Sequence, residues 1–171
     1  MKRTLRILLA LVVVVALLAM TGCGFIAGRA VKSGVESATG VKVNESGNSV
    51  TVTGQDGATV SSSADGKIPE GFPSDMPLYV PGSIKAGIVS DSGSGKGFMV
   101  AIETPDAPAA VFAWYETQLK DKGWTVQTTM KTGEGGLLTG EKGSQVFTVA
   151  VSSGSDTQGA TGVSISVGPK E

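Results

Sequence analysis

Aromatic residues are confined almost entirely to the C-terminal part of this 171-residue chain, and this distribution limits where a core can form. Only one aromatic residue, Phe25, precedes residue 67. The other eight aromatic residues follow residue 67: Phe72, Tyr79, Phe98, Phe112, Trp114, Tyr115, Trp124 and Phe147. Large rings supply much of the buried area of a small core. Because Cys23 is the sole cysteine, no disulfide within the chain can take the place of such a core. The main domain is therefore predicted to span residues 67–171.

The first 23 residues have the pattern of a secretory signal. Three basic residues near the start are followed by an unbroken apolar run, Ile7–Met20, and then by small residues. As a helix this run would be about 21 Å long, short of the ~30 Å hydrocarbon core of a membrane, so a permanent membrane span is the weaker interpretation. Residues 1–22 are predicted to be a signal peptide that is cleaved between Gly22 and Cys23.

The sequence Met20-Thr21-Gly22-Cys23 resembles the lipobox of bacterial lipoproteins, in which a branched aliphatic residue, a small residue, and Gly or Ala precede Cys. Met20 departs from that pattern. The resemblance implies a diacylglycerol on the Cys23 thiol and acylation, for example by palmitate, of the new amino terminus. Two acyl chains at about 0.8 kcal/mol per methylene make a permanent anchor, on the extracytoplasmic side of the cell membrane. The alternative is ordinary cleavage that leaves an unpaired cysteine.

Charge and composition limit the function. The signal holds three of the 14 Lys and Arg residues and none of the 15 Asp and Glu residues, which leaves residues 23–171 with a net charge of −4. The Lys residues are scattered, which argues against a nucleic-acid partner. The chain has no His, which excludes Ser-His-Asp and Cys-His catalysis and His metal ligands. We expect no enzyme activity, cofactor or metal, although a Ser-Lys pair or paired carboxylates stay open.

Between the signal and the main domain the chain is polar and rich in glycine. Residues 23–40 are predicted to be the lipidated cysteine and a tether. Residues 41–66 show three short alternating segments that are separated by Gly-containing turns, a pattern typical of polar β-hairpin strands. Such strands bury too little to be stable alone, so they either add to the edge of the following domain or remain partly disordered. The Asp-Gly pairs in this region are interpreted as turns rather than calcium ligands.

The main domain begins with a proline-rich stretch, residues 68–82. Proline recurs at every fourth position: Pro69, Pro73, Pro77 and Pro81. Repeated proline excludes both a helix and a central strand. The stretch is therefore predicted to be an extended strap, with apolar side chains available for packing: Phe72, Met76, Leu78 and Tyr79.

After this strap, periodicity predicts two strands, one helix and four further strands. The helix is expected at Pro105–Lys122, with Thr104 as its cap, Phe112, Tyr115 and Leu119 on its apolar face and Gly123 at its end. The strands are expected at Ser83–Ser90, Phe98–Glu103, Trp124–Met130, Gly136–Glu141, Ser144–Ser152 and Gly162–Val167. The predicted class is α+β, an antiparallel sheet of order β-β-α-β-β-β-β with the helix packed on one face.

Two segments resemble a recurrent domain of small, largely uncharacterised bacterial lipoproteins. They are the strap, PEGFPSDMPLYVPGSI, and the helix with its end, FAWYETQLKDKGW. The chain departs from the pattern by placing Ala113-Trp114 between Phe112 and Tyr115. The resemblance implies the fold and an anchored location, and it implies no established activity.

These observations predict a lipid-anchored, non-catalytic module that binds another envelope protein or a cell-wall component through its sheet. The alternative is a binder of a small apolar or lipid ligand between helix and sheet. Trp114, Tyr115 and Trp124 are the candidate contacts for a partner or ligand, and a cavity that they line together with Phe112 would favour the alternative. An aromatic stripe at helical spacing is also typical of a core.

Overall fold

The computed structural model describes residues 41–93, 95–153 and 159–170, so the predicted signal peptide, the cleavage site at Gly22 and Cys23, and the tether lie outside the described residues. In this part of the chain we number nine strands and one helix in chain order. The strands are β1 Lys42–Ser46, β2 Ser49–Thr53, β3 Thr59–Ser63, β4 Ser83–Asp91, β5 Lys96–Thr104, β6 Thr125–Thr132, β7 Gly135–Lys142, β8 Gln145–Ser153 and β9 Thr161–Pro169, and the helix is α1 Pro108–Asp121.

The nine strands form one antiparallel sheet in the order β1-β2-β3-β4-β5-β9-β8-β7-β6. Helix α1 connects β5 to β6 at the far edge, and three hairpins then return the chain to β9, which pairs with β5. From β4 onward the order β-β-α-β-β-β-β agrees with the prediction. The whole described part contains more strand than the predicted α+β class implies, because β1–β3 extend the same sheet.

The predicted start of the helix is wrong by three residues. Thr104 does not cap the helix: it is the last residue of β5, it pairs with Thr161, and its hydroxyl oxygen accepts a hydrogen bond from the Asp106 N–H at 3.3 Å. The helix begins at Pro108, after Ala107, whose side chain makes no capping hydrogen bond. The sheet therefore continues to the position that the sequence assigned to the cap. Pro108, rather than Pro105, is the proline at the helix start, where a fixed φ and a missing N–H are tolerated.

The end of the helix agrees with its sequence signal. Gly123 has φ of +78°, a conformation that glycine adopts without steric cost. The Gly123 N–H donates to the Lys120 carbonyl at 2.9 Å, and the Trp124 N–H donates to the Leu119 carbonyl at 2.8 Å. These bonds satisfy carbonyl groups of the last turn and direct the chain into β6.

The core lies between α1 and one face of the sheet, which we call the helix face. The predicted helix residues Phe112, Tyr115 and Leu119 are buried there, together with Val111. Apolar residues of the sheet meet them: Phe98, Val100, Ile102, Leu138, Phe147, Val149, Val151, Val163, Ile165 and Val167. Gly136 lets the helix approach, because a Cβ at this position would lie 2.5 Å from Phe112 Cε2. The other face of the sheet is called the open face.

The strap, residues 68–82, packs its apolar side chains along this core as predicted, but it is not extended. Three turns fold it, closed by backbone hydrogen bonds from Phe72 to Pro69, from Met76 to Pro73 and from Gly82 to Tyr79. Met76 is buried, and Phe72 meets Phe98 edge to face with ring centroids 5.9 Å apart. The Trp124 indole N–H donates to the Asp75 carbonyl at 3.2 Å. Lys142 Nζ donates to Asp75 Oδ2 at 2.5 Å, so β7 also holds the strap.

Strands β1–β3, which we call the wing, join the edge of β4. Of the two alternatives for residues 41–66, the structure therefore has the strands added to the sheet, with β3 paired to β4 from Thr59↔Asp91 to Ser63↔Gly87. The compact unit begins at Val41. We call β4–β9, α1 and the strap the body. The proposal that residues 67–171 fold without the wing stays a prediction.

Candidate functional site

Trp114 lies half-buried in a cluster of three aromatic rings at the strap. Its ring is perpendicular to that of Tyr79, with centroids 5.0 Å apart, and to that of Tyr115, with centroids 4.9 Å apart. Edge-to-face pairs of this kind stabilise a packed arrangement beyond their buried area. Of the three candidate contact residues, Trp114 is the one that a partner or ligand can reach without rearrangement of the core.

Tyr115 is completely buried next to this cluster. Its hydroxyl oxygen accepts a hydrogen bond from the Tyr79 backbone N–H at 3.1 Å, which ties the helix to the strap. Burial of the phenol raises the pKa of Tyr115 well above its usual range, because the phenolate would lose its hydration. Tyr115 is thus a neutral core residue that fixes the strap, and its prediction as a contact residue stays untested.

Trp124 lies apart from the other two candidates. It is 2% exposed and meets Phe147 edge to face with ring centroids 5.3 Å apart. Lys142 Nζ lies 5.8 Å from the centroid of the Trp124 ring. The structure therefore brings Trp114 and Tyr115 together and places Trp124 on another part of the core, below the end of the helix.

Asp106 organises a small polar cluster at the start of the helix. The Tyr79 hydroxyl donates to Asp106 Oδ2 at 2.7 Å, and the Thr161 hydroxyl donates to the Asp106 carbonyl at 2.6 Å. The hydrogen bond to Asp106, together with burial and the negative charge of this carboxylate, raises the pKa of Tyr79. Thr104 and Thr161 are both buried at 1% exposure. These hydrogen bonds join the strap, β5 and β9 to the loop between β5 and α1. They occupy the polar side chains of the cluster, which therefore has a structural role.

A groove of about 320 Å³ lies on the open face, across strands β4, β5, β9 and β8. Its floor is a pair of glycines, Gly97 and Gly168, which the register of β5 and β9 places opposite each other. A Cβ at Gly168 would lie 3.4 Å from the Gly97 Cα, so the two strands leave a depression where side chains would otherwise stand. The missing side chains on two adjacent strands create the groove.

Apolar side chains form most of the rim of this groove. Met99 is 43% exposed and Val146 is 38% exposed, and Ile88 lies beside Met99 in the register of β4 and β5. The polar groups of the lining include hydroxyls: Ser90, Thr148 and Ser166. Among the residues that the structure describes, no Asp, Glu, Lys or Arg lines the groove, so it favours an uncharged, apolar group.

The sequence did not indicate this groove. Gly97 and Gly168 stand at the end of a predicted turn and near the chain terminus, where glycine is ordinarily read as a turn residue. Their juxtaposition depends on the pairing of β5 with β9, which are separated by the helix and three strands. The alternating pattern of β5 and β9 could show which face each residue occupies, but it contains no signal for which strands are neighbours.

Within the described ranges, no helix has the length and apolarity that a membrane crossing requires. Among these same residues, no group of three or more His, Cys, Asp or Glu side chains is placed to hold a metal ion. The lipidation of Cys23 and the cleavage after Gly22 lie outside this part of the chain and stay predictions.

The fold and the groove together define a sheet-based domain with one packed helix and one open face that carries an uncharged groove. Residues 82–169, just over half of the chain, match a START domain-like family, and the chain belongs to this family. The match begins at the last residue of the strap and covers β4–β9 with α1. No curated protein and no solved structure matches the chain.

Proposed function

We propose that the protein is a lipid-anchored protein of the bacterial cell envelope whose START domain-like domain is a non-catalytic binding module. Its binding site is the groove on the open face, and the group that it binds is apolar and uncharged. The observation that carries this proposal is the glycine floor formed by Gly97 and Gly168, with Met99 and Val146 exposed beside it. A volume of 320 Å³ is at the lower end of ordinary ligand sites.

The anchor rests on the lipobox-like sequence that ends at Cys23. Because this thiol is the one acylation site, Cys23→Ser should abolish membrane retention or stall signal processing. Membrane fractionation and mass spectrometry of the amino terminus measure both effects. An unmodified thiol at residue 23 of the mature protein would end the proposal of a lipoprotein.

Binding at the groove can be followed with methionine methyl groups as reporters. We expect octyl glucoside, added below its micelle concentration to residues 24–171, to move the methyl resonance of Met99. Met76, which is buried in the core, and Met130, which is exposed farther along the same face, serve as internal controls and should not move. Glucose alone should move none of the three.

Filling the floor of the groove should abolish this response. Gly168→Val places a side chain on the floor, where a Cβ meets the neighbouring strand at an acceptable 3.4 Å. Gly162→Val is the matched control, because Gly162 lies on the same strand and face and a Cβ there meets its nearest atom at 3.9 Å. A Met99 response that survives Gly168→Val would show that the groove is not the binding site.

A second candidate is a small apolar or lipid ligand between helix and sheet, with which membership of a START domain-like family is compatible. Such a ligand must displace Phe112, Tyr115 and Trp124, which are at most 2% exposed. In the same titration, this mode predicts a change in Trp124 fluorescence and in the Met76 methyl resonance. The groove predicts neither change.

A further inference from the structure

The open face of the body carries no charge in its two central rows of residues. One row crosses the sheet from β4 to β6 and contains Ile88, Met99, Ser166, Thr148, Thr139 and Thr128. The next row contains Ala86, Ala101, Ser164, Ala150, Leu137 and Met130. An antiparallel sheet face that meets water ordinarily carries polar and charged side chains. Two adjacent rows that cross six strands without one charge indicate a face that is covered by another surface.

Charged residues do occur at the two ends of this face, and each acidic one is paired. Lys170 Nζ lies 2.5 Å from Glu141 Oε2 at one end, and Lys85 Nζ lies 2.7 Å from Glu103 Oε2 at the other. The face as a whole is therefore close to neutral, although residues 23–171 carry a net charge of −4. Two copies of this face can meet without the repulsion that other parts of the surface would produce.

The shape of the face also suits a second sheet. Most of its side chains are Ala, Ser, Thr and Gly, which are short enough for two sheets to pack at the ordinary separation of about 10 Å. The two central rows and the adjoining row through the groove give three rows across six strands: the groove row contains Ser90, Gly97, Gly168, Val146, Glu141 and Thr125. At a strand spacing of ~4.8 Å, these three rows give an area of about 500 Å² on each copy. The total of about 1,000 Å² reaches the lower limit for a specific interface.

Association through the free edge of β6 is less favourable than association through this face. A β-bulge interrupts the pairing of β6 between Val126 and Thr128, and the Lys131 side chain turns toward the helix, where it pairs with Glu116 at 2.7 Å. Bulges and inward-pointing charges are features that prevent edge-to-edge pairing. The open face has no comparable obstacle.

We propose that the open face of the body docks on the open face of a second copy of this chain, in a two-fold symmetric pair. The proposal rests on the proposed function of the groove and names the source of the apolar group: exposed side chains of the second copy, among Met99, Met130 and Val146. A two-fold contact uses the same patch twice, so a neutral, flat face of small residues is complementary to itself. Anchoring in one membrane raises the effective concentration of the two copies.

Photo-crosslinking of the full chain in the cells that make it tests this contact. Two forms with different epitope tags are produced together, each with benzoylphenylalanine in place of Met99. We expect an adduct that contains both tags. The same probe at Thr117, which is exposed on the outer side of the helix, should give none. An adduct from Met99 that contains only some other protein would overturn the proposal.

A charge in the centre of the face should separate the copies. Ser164→Glu should reduce the adduct at least about tenfold, because like charges would face each other across a dry contact. Thr117→Glu, which adds the same charge on the helix, should leave it unchanged. A tagged Ser164→Glu chain mixed with a Ser164→Lys chain should regain the adduct, and this rescue excludes a folding defect. If the mixed pair does not regain the two-tag adduct, or if Ser164→Glu does not reduce it, the proposal that a second copy docks on the open face is wrong.

The titration of Met99 with octyl glucoside separates the two proposals. If Met99 responds to octyl glucoside and no two-tag adduct forms, the proposal that a second copy docks on the open face is wrong. The groove then remains a binding site for an apolar group from elsewhere. If the adduct forms and Met99 does not respond, the contact stands and the groove is not a binding site of its own.

Discussion

The wing and the body place their apolar residues on opposite faces of one continuous sheet. In the body, Val100, Val149 and Ile165 point to the helix face, where the core lies, whereas Ser166 and Thr148 point to the open face. In the wing, the register of β3 with β4 puts valines on the open face and Ser and Thr residues on the helix face. The strands pair regularly across the boundary between these two regions, so hydrogen bonding alone does not determine which face becomes the core.

The difference follows from what each face of the wing has available to cover it. The helix and strap cover β4–β9 and do not contribute a core residue over β1–β3. On that side the wing has hydroxyl groups, and Thr51 and Ser61 share a cross-strand hydrogen bond of 2.9 Å. On the other side Val52 pairs with Val60, next to the row that leads into the groove. The wing thus extends the apolar part of the open face rather than the core.

The helix causes the main difference between the body and the wing, because it covers the helix face of the body and not that of the wing. Leu119 is completely buried, and Leu119→Ala should cost about 2–5 kcal/mol through lost burial and a cavity. Lys120→Ala on the solvent side should change the free energy of unfolding by no more than about 0.5 kcal/mol. Urea midpoints of the two variants give both values. A neutral Leu119→Ala would mean that the helix does not cover the core as described.

An isosteric change tests which face is apolar in each region. Val149→Thr places a hydroxyl in the core, where Val149 is completely buried, and should cost about 1–3 kcal/mol. Val52→Thr makes the same change on the half-buried open face of the wing and should cost about 0.5 kcal/mol or less. Equal losses in chemical denaturation would contradict the reversal of faces.

Alkaline pH should destabilise the body through Tyr115. Its pKa is raised in the folded chain, so the folded state holds the proton after the unfolded state has lost it at about pH 10. Stability is fully present below that pH and falls above it by about 1.4 kcal/mol per pH unit for one such group. Tyr115→Phe should reduce this slope between pH 10 and 11, as measured by urea midpoints, and the raised pKa of Tyr79 should leave part of the slope in place. A slope unchanged by Tyr115→Phe would assign the effect to other groups.

Removal of the wing should have the smallest effect on the body. Residues 67–171 should fold as a cooperative unit, with a change of about 1 kcal/mol or less in the free energy of unfolding. The five cross-strand pairs between β3 and β4, at ~0.2–1 kcal/mol each, are offset by the cost of ordering the wing. Residues 24–66 alone should not fold, and exchange-protected amides throughout a 41–62 peptide would contradict this division.

The sequence predicted the elements of the body because each has a local signal. The alternation of Val163, Ile165 and Val167 and the helical spacing of Phe112, Tyr115 and Leu119 both depend on residues close in the chain. The helix start was wrong because Pro105 and Pro108 carry the same signal, and the continuation of β5 through Thr104, which pairs with β9, decided between them.

The groove and the reversal of faces could not be predicted for a related reason. Both depend on which strands are neighbours: Gly97 meets Gly168 only because β9 returns to β5, and Val60 faces the open side only because of its register with Ser90. Trp114 was predicted as either a core or a contact residue, and its half-buried position leaves both roles in place. Pairing between distant segments contributes the information that local periodicity lacks.

The aromatic cluster at the strap makes the two regions optically different. Trp114 is perpendicular to both Tyr79 and Tyr115, and Trp124 is perpendicular to Phe147. We expect these closely packed rings to give the body a near-ultraviolet circular dichroism signal. The wing has no aromatic residue and is silent in such spectra and in tryptophan emission. An unfolding curve recorded by fluorescence would therefore describe the body alone, and opening of the wing would be visible only to probes of the backbone.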